Sequence, residues 1–250
     1  MYYSACVPAL FRNIPMHEAL PVVADCGIPA FEFWGWWDLD LSALEAAQQQ
    51  TGLQCSAMCT RMIPLTDPAR RDEYIAGLLE SIAVARRFGC RTLISQVGPE
   101  LATLPRCDQH QSIVDGLRAC IPLLEEAGIT LVIEPLNTLV NHPGYYLTAS
   151  AEGFDIVREV GSPYVKLLYD VYHQQITEGN LLANITPNID LIGHIHIAGV
   201  PGRHEPLRDC EINYPVILQA LRSLGYQHAI GLEYMPLYDA ADGLREIAAL

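Results

Sequence analysis

The sequence predicts an α/β chain folded as a single-domain (β/α)8 TIM barrel, and three observations carry that prediction. Eight short apolar runs alternate with segments whose apolar residues recur every three or four positions. The clearest of those segments stop at a glycine. Four side chains able to bind a metal, Glu134, Asp170, His196 and Glu233, each close one of the last four apolar runs.

In chain order, the strand-like runs are residues 2–7, 30–33, 54–59, 92–96, 130–134, 165–170, 193–197 and 229–233. They are rich in Val, Ile and Leu with little polar alternation, as parallel strands covered by helices require. Helical spacing runs through 16–26 before Gly27, 41–50 before Gly52, 71–88 before Gly89, 112–127 before Gly128 and 215–224 before Gly225. Glycine takes the left-handed conformation cheaply, so each marks a helix stop ahead of the next strand. Asp67-Pro68 supplies an N-cap and a first-turn proline ahead of 71–88, and Thr148-Ala149-Ser150 is expected to open a further helix. Eight such units without a break in composition favour closure into one barrel over residues 1–250; a doubly wound sheet is the main rival.

The 250 residues suit a barrel of this kind, and half of them are hydrophobic. A formal net charge of −14 argues against a nucleic-acid or anionic-membrane surface, because phosphates demand clustered Lys and Arg. Residues 1–4 open without a basic, apolar leader and no apolar run reaches membrane-spanning length, so a soluble, cytoplasmic protein is expected. The eight cysteines are expected to be reduced. Cys55 and Cys59 have zinc-like spacing but no second ligand pair nearby, and are read as core.

Glu134, Asp170, His196 and Glu233 are separated by 36, 26 and 37 residues, about one strand-plus-helix unit each. In a parallel barrel the strand ends meet on one face, so four distant residues become one site. Three carboxylates and an imidazole make a hard, oxygen-rich set suited to Mn2+, Mg2+ or Co2+, and three buried like charges demand a cation. His194 shares a strand face with His196 and is either a hydrogen-bonded core residue or a partner orienting the metal ligands. His173 and Arg203 fall in loops on the same face, placed to meet substrate oxygens or a carboxylate; a helix-start cap for His173 and a salt bridge to Glu205 for Arg203 are the plainer readings. Trp34, Trp36 and Trp37 follow the second strand and are expected in an exposed loop, where they wall a small-substrate pocket, cover the site of a neighbour in a homo-oligomer, or pack under the loop.

On these residues the chain resembles the hydroxypyruvate isomerase family of the xylose isomerase-like barrels. The matching stretches are Ile133-Glu134-Pro135-Leu136-Asn137, Pro143-Gly144-Tyr145-Tyr146-Leu147, Tyr169-Asp170-Val171-Tyr172-His173-Gln174-Gln175, Ile192-Gly193-His194-Ile195-His196, Gly202-Arg203-His204-Glu205-Pro206, Glu211-Ile212-Asn213-Tyr214 and Gly231-Leu232-Glu233-Tyr234. The N-terminal half matches mainly in layout, with Glu32 in Phe31-Glu32-Phe33 as its best echo. The resemblance implies a divalent cation on Glu134, Asp170, His196 and Glu233, with Glu134 and Glu233 also exchanging the proton. It further implies that His173, Arg203, Asn137 and Trp34 contact a small keto-acid or ketose. His196, where some members of the family carry Gln, resembles the ketose 3-epimerases of the same superfamily; Thr138-Leu139-Val140 after Asn137 does not. Isomerisation of hydroxypyruvate or a related keto-acid is therefore the leading expectation and ketose 3-epimerisation the alternative. A metal-dependent phosphodiesterase is disfavoured by charge, and a non-catalytic sugar-binding barrel by the presence of every expected ligand.

Overall fold

The computed structural model describes residues 1–249. Eight strands close into a barrel in simple sequence order, β1 Tyr2–Cys6, β2 Ala30–Phe33, β3 Gln54–Cys59, β4 Thr92–Ser95, β5 Thr130–Ile133, β6 Val165–Asp170, β7 Ile192–Ile197 and β8 Ala229–Leu232. Every neighbouring pair is parallel, including β1 with β8, so no sheet edge is left unpaired. The predicted closed barrel is the observed fold, and the doubly wound alternative is excluded.

The helices are α1 Val7–Leu10, α2 Met16–Asp25, α3 Leu41–Thr51, α4 Arg71–Phe88, α5 Arg106–Ala127, α6 Ser150–Val160, α7 Val171–Thr177, α8 Leu181–Ile185, α9 Tyr214–Ser223 and α10 Ala240–Ala248. The predicted glycine stops form: Gly89 and Gly128 follow α4 and α5 with φ of 64° each. One start differs from expectation: α5 begins at Arg106 rather than 112, because its first turns are polar and carry little apolar period. α6 opens at Ser150 as expected, though without a side-chain cap; Ser150 Oγ donates to Glu178 Oε1 at 2.5 Å.

Alternation along the strands sorts the core into two parts. Residues such as Leu131, Ile133, Leu167 and Tyr169 pack outward against the helices. Ala57, Cys59, Ile94, Val132 and Leu168, with Trp34 against them, form a separate small cluster inside the barrel. Since side chains two apart share a strand face, Val132 points with Glu134 and Leu168 with Asp170. The apolar plug therefore floors the polar mouth. All eight cysteines are free, and Cys55 and Cys59 are buried, as the sequence suggested. Among the described residues, no helix is long and apolar enough to cross a membrane.

Candidate active site

Asp170 is the last residue of β6 and His196 the penultimate residue of β7, while Glu134 and Glu233 lie one position past β5 and β8. Pro135 follows Glu134 and cannot donate to the ladder; Glu233 N–H is still paired, to Ile197 O at 3.2 Å. The four side chains are buried and converge: one ligand atom from each lies within 4.8 Å of the others. Four residues 36, 26 and 37 positions apart thus form one cluster.

His196 Nδ1 sits 3.0 Å from Glu233 Oε2 and 3.7 Å from Glu134 Oε1. Neither contact has hydrogen-bond alignment, and both Nδ1 and Glu134 Oε1 are buried without a hydrogen-bond partner. Close, misaligned, orphaned donor atoms on three carboxylates and an imidazole are what a hard divalent cation would satisfy. The residues present fit such an ion.

Electrostatics separates the two glutamates. Burial pushes Glu134 up to about 7, with Glu233 and Asp170 adding to the rise and His196 opposing it. Burial would raise Glu233 as well, but Arg203 and His196 outweigh it and hold the carboxyl well below the ordinary range. Arg203 Nη2 reaches Glu233 Oε2 at 2.5 Å and Asp170 Oδ2 at 3.4 Å. Trp34 Nε1–H donates to Glu233 Oε1 at 2.7 Å. His196 is raised well above the usual histidine range, since Glu233 and Glu32 overcome the opposing effect of burial.

Arg203 is held by its loop. Its φ is 62°, its N–H donates to Gly199 O, and its own carbonyl accepts from Met235 N–H. The plainer expectation, a salt bridge to Glu205, is not what forms: Glu205 accepts instead from the backbone N–H groups of Leu237 and Tyr238. The guanidinium lies 5.1 Å from the Tyr172 ring centre, and its Nε–H is buried with no partner.

Asp170 also caps α7, its Oδ1 accepting from Tyr172 N–H at 2.8 Å and His173 N–H at 3.1 Å. His173, the third residue of α7, does no capping with its ring. Its Nδ1 faces the backbone N–H of Asn137 at 3.2 Å and the Asn137 amide Nδ2 at 2.6 Å. Two donors on one ring nitrogen make Nδ1 an acceptor and leave the hydrogen on Nε2. That Nε2 is buried without a hydrogen-bond partner, 3.5 Å from Asp170 Oδ2. Burial depresses His173 to about 4, against the pull of Asp170, so the ring is a neutral donor.

Asn137 departs from the expected substrate contact. It is fully buried, its Oδ1 accepts from Val140 and Asn141 N–H, and its amide holds His173, so it serves the cavity at one remove. The tryptophans divide. Trp34 lines the mouth, whereas Trp36 is buried rather than exposed, edge-on to Trp37 at 5.9 Å and under the Arg61 guanidinium at 4.8 Å.

Sequence reasoning missed the full meaning of Glu32. It lies inside β2, 1 % exposed, bracketed by His194 Nε2 and His196 Nε2 at 2.9 Å each. Those histidines outweigh the penalty of burial and lower Glu32 to about 2. The signal was available, since an acid within a buried four-residue strand demands a partner. Gln96 and His142 were also missed; nothing in their local sequence marks them.

These groups surround a cavity of about 260 Å3 at the strand C-termini, lined by Glu134, His173, His196, Arg203, Glu233, Trp34 and Gln96 among others. An adjoining cavity of about 300 Å3, between Pro64, Pro99 and Pro143, shares Met62, Gln96 and His142 with it.

Comparison with known proteins places this arrangement. Residues 20–250 match the family described as xylose isomerase-like TIM barrel. Hydroxypyruvate isomerase of Escherichia coli (strain K12) is 30% identical, the alignment covering 97% of this chain and 96% of the relative. The 2-oxo-tetronate isomerase of Cupriavidus necator (strain H16) is 44% identical over 71% of this chain and 67% of its own length. A crystal structure from Brucella melitensis named AP endonuclease, family 2, superposes with a TM-score of 0.94 at 29% identity, covering 100% of this chain and 99% of that one. With its barrel, its converging strand ends and these relatives together, the chain belongs to the hydroxypyruvate isomerase family of the xylose isomerase-like TIM barrels and is an isomerase.

Proposed function

We propose that this isomerase interconverts short α-hydroxy keto-acids, of three or four carbons, by moving a proton between adjacent carbons through an enediolate, with Glu134 and Glu233 as the acid–base pair. The observation that supports this reading best is the convergence of two buried glutamates on one imidazole, with their proton affinities driven apart. Such a split is how two carboxylates take opposite roles at one pH. The named activities of the Escherichia coli and Cupriavidus relatives supply the substrate class.

Glu233, held ionised by Arg203 and His196, takes the proton from the carbon bearing the hydroxyl; the C–H electron pair becomes the C=C double bond, the carbonyl π pair moves onto its oxygen, and the hydroxyl proton passes to that oxygen. Glu134, in its protonated form, delivers its proton to the neighbouring carbon as the deprotonated oxygen forms the new carbonyl, and proton exchange with solvent returns the two carboxyls to their starting states. A divalent ion, Mn2+, Mg2+ or Co2+, on Glu134, Asp170, His196 and Glu233 would supply Lewis-acid stabilisation of the oxygens' negative charge. His173 Nε2–H and Arg203 Nε–H, both buried without a partner, would donate to a substrate oxygen and to the substrate carboxylate. Trp34 and the apolar plug keep water from the reacting carbons.

Glu134→Gln and Glu233→Gln should each abolish solvent deuterium exchange into the substrate while leaving the fold intact; near-normal exchange in both variants would sink the acid–base pair. Chelation should remove activity and Mn2+ restore it, and turnover indifferent to chelator would contradict the cation. The adjoining cavity supports a second reading, return of the proton to the opposite face of the same carbon of a longer ketose. Proton NMR over a panel of C3 to C6 keto-acids and ketoses separates the two by product. A phosphodiesterase role, as the name of the Brucella structure would suggest for that protein, is opposed by the −14 charge of this chain. The free cysteines support a reducing, cytoplasmic setting.

A further inference from the structure

Beside the apolar plug, beneath the four strand-end residues, lies a second polar group that the proposed reaction does not use. Glu32 enters it from β2, His194 from β7 and Ser56 from β3, and Glu32 reaches His196, the strand-end residue of β7. Glu32 Oε2 is pinned by a 2.9 Å hydrogen bond with His194 Nε2 and lies 3.3 Å from the Ser56 hydroxyl, whose one hydrogen it shares with Phe31 O at 3.2 Å. Ser56 Oγ is in turn 2.6 Å from Ser4 Oγ on β1. Both ends of the arrangement are buried, so the carboxylate can neither swing away nor trade its partners for water.

That pinning leaves Oε1 facing His196 Nε2 at 2.9 Å. The contact lies off the ring N–H axis, and neither atom has a hydrogen-bond partner elsewhere among the described residues. Oε1 is therefore the acceptor within reach of an Nε2 hydrogen on His196. The opposite nitrogen, Nδ1, faces Glu233 and Glu134. A histidine ligand presents a lone pair on one nitrogen only when its hydrogen is kept on the other, and a buried carboxylate is the usual keeper. Space for the pair comes from β8: a Cβ on Gly231 would overlap both Glu32 Oε1 and His196 Cδ2.

We propose that Glu32 is the positioning residue for His196: its buried carboxylate, 2.9 Å from Nε2, favours the hydrogen on that nitrogen and so leaves the Nδ1 lone pair to the cation, with His194 and Ser56 fixing Glu32 in turn. The inference rests on the cation-dependent reading above, and concerns a residue that touches neither substrate nor cation.

The test is Mn2+ affinity of the purified, metal-free protein, followed by electron paramagnetic resonance of free Mn2+, beside its melting temperature. Glu32→Gln should weaken Mn2+ binding by about 10- to 100-fold. A carboxylate with a merely structural role would lower the melting temperature and leave that affinity within twofold, which overturns the proposal. A second pair of variants carries the test if Glu32→Gln does not fold. His194→Leu should weaken Mn2+ several-fold, and His194→Gln, which keeps an N–H on Oε2, should restore it; equal affinity in the two would overturn the relay. Wild type that takes up no Mn2+ would remove the cation reading and this inference together, whereas tight wild-type binding with an indifferent Glu32→Gln removes the inference alone.

Discussion

Strands β5 to β8 bring Glu134, Asp170, His196 and Glu233 to the barrel mouth, whereas β1 to β4 and their loops bring Trp34, Cys59 and Gln96. The first set is charged, mutually strained and sits where a cation fits. The second is neutral and shapes the cavity. Glu32 is the exception in the N-terminal half, and it lies below the mouth, where it supports a β7 histidine instead of meeting substrate. One half of a near-symmetric scaffold thus carries the proposed chemistry while the other supplies walls and backing. Symmetry of fold therefore does not impose symmetry of function.

The largest effect that would break this contrast is on turnover. Glu134→Gln should lower kcat by about 10^2- to 10^4-fold, the range expected for a lost acid–base group. Gln96→Leu, in the neutral half, should cost under about tenfold and act mainly through KM, as loss of uniform binding does. Steady-state kinetics on one keto-acid decides it: equal losses in kcat for the two variants would erase the division between halves.

A smaller effect probes the seam where the halves meet. Gly231 on β8 leaves room for Glu32 from β2, and a methyl there would overlap both Glu32 and His196. Gly231→Ala should destabilise by about 1–3 kcal/mol, the usual cost of overpacking a tight core. Urea unfolding would show it; an unchanged midpoint would mean the seam is loose. Within the C-terminal half, Asn137→Ala removes the amide donor to His173 Nδ1 while the backbone N–H remains. The same substitution also removes the Oδ1 acceptor of Val140 and Asn141 N–H, and each hydrogen bond lost is worth about 0.5–1.5 kcal/mol. A fall in kcat/KM of no more than about tenfold is expected by the same measure, and a null result would show that the backbone donor alone sets the ring.

How much of this the sequence displays depends on whether a residue's role is periodic or three-dimensional. The eight strands were legible because buried parallel strands are apolar runs and their helices end at glycine. The four strand-end residues were legible because their spacing equals the repeat of the barrel. Asn137 stands out in the sequence as a residue of the site, and only the fold reveals that its amide is spent on His173. Glu32 and His194 were each noticed alone, 162 positions apart, and nothing local links them. Closure of β7 onto β8 and β8 onto β1 turns them into one pair. Of the readings open for the tryptophans, Trp36 takes the plain one and packs under its loop, where Trp37 meets it edge-on and the Arg61 guanidinium covers it.

Trp34 offers the finest test of the contrast, because it is the one wall residue of the N-terminal half that bonds a proposed catalyst. Its indole N–H donates to Glu233 Oε1, while Oε2 is taken by Arg203. Trp34→Phe keeps an aromatic wall and deletes that donor alone. Arg203 and His196 remain to hold Glu233 ionised, so the carboxylate should stay a base, slightly more basic than before. The lost bond also frees the carboxylate to rotate away from the substrate carbon, and near-attack geometry is what such contacts protect. These opposing consequences should leave a decrease in kcat of only about two- to fivefold, within the roughly 1 kcal/mol of one hydrogen bond. Mn2+ affinity should hold, because Glu233 keeps its charge. A loss approaching that of Glu134→Gln would instead make Trp34 part of the catalytic machinery, and the line between chemistry and wall would then run through the mouth and not between the halves.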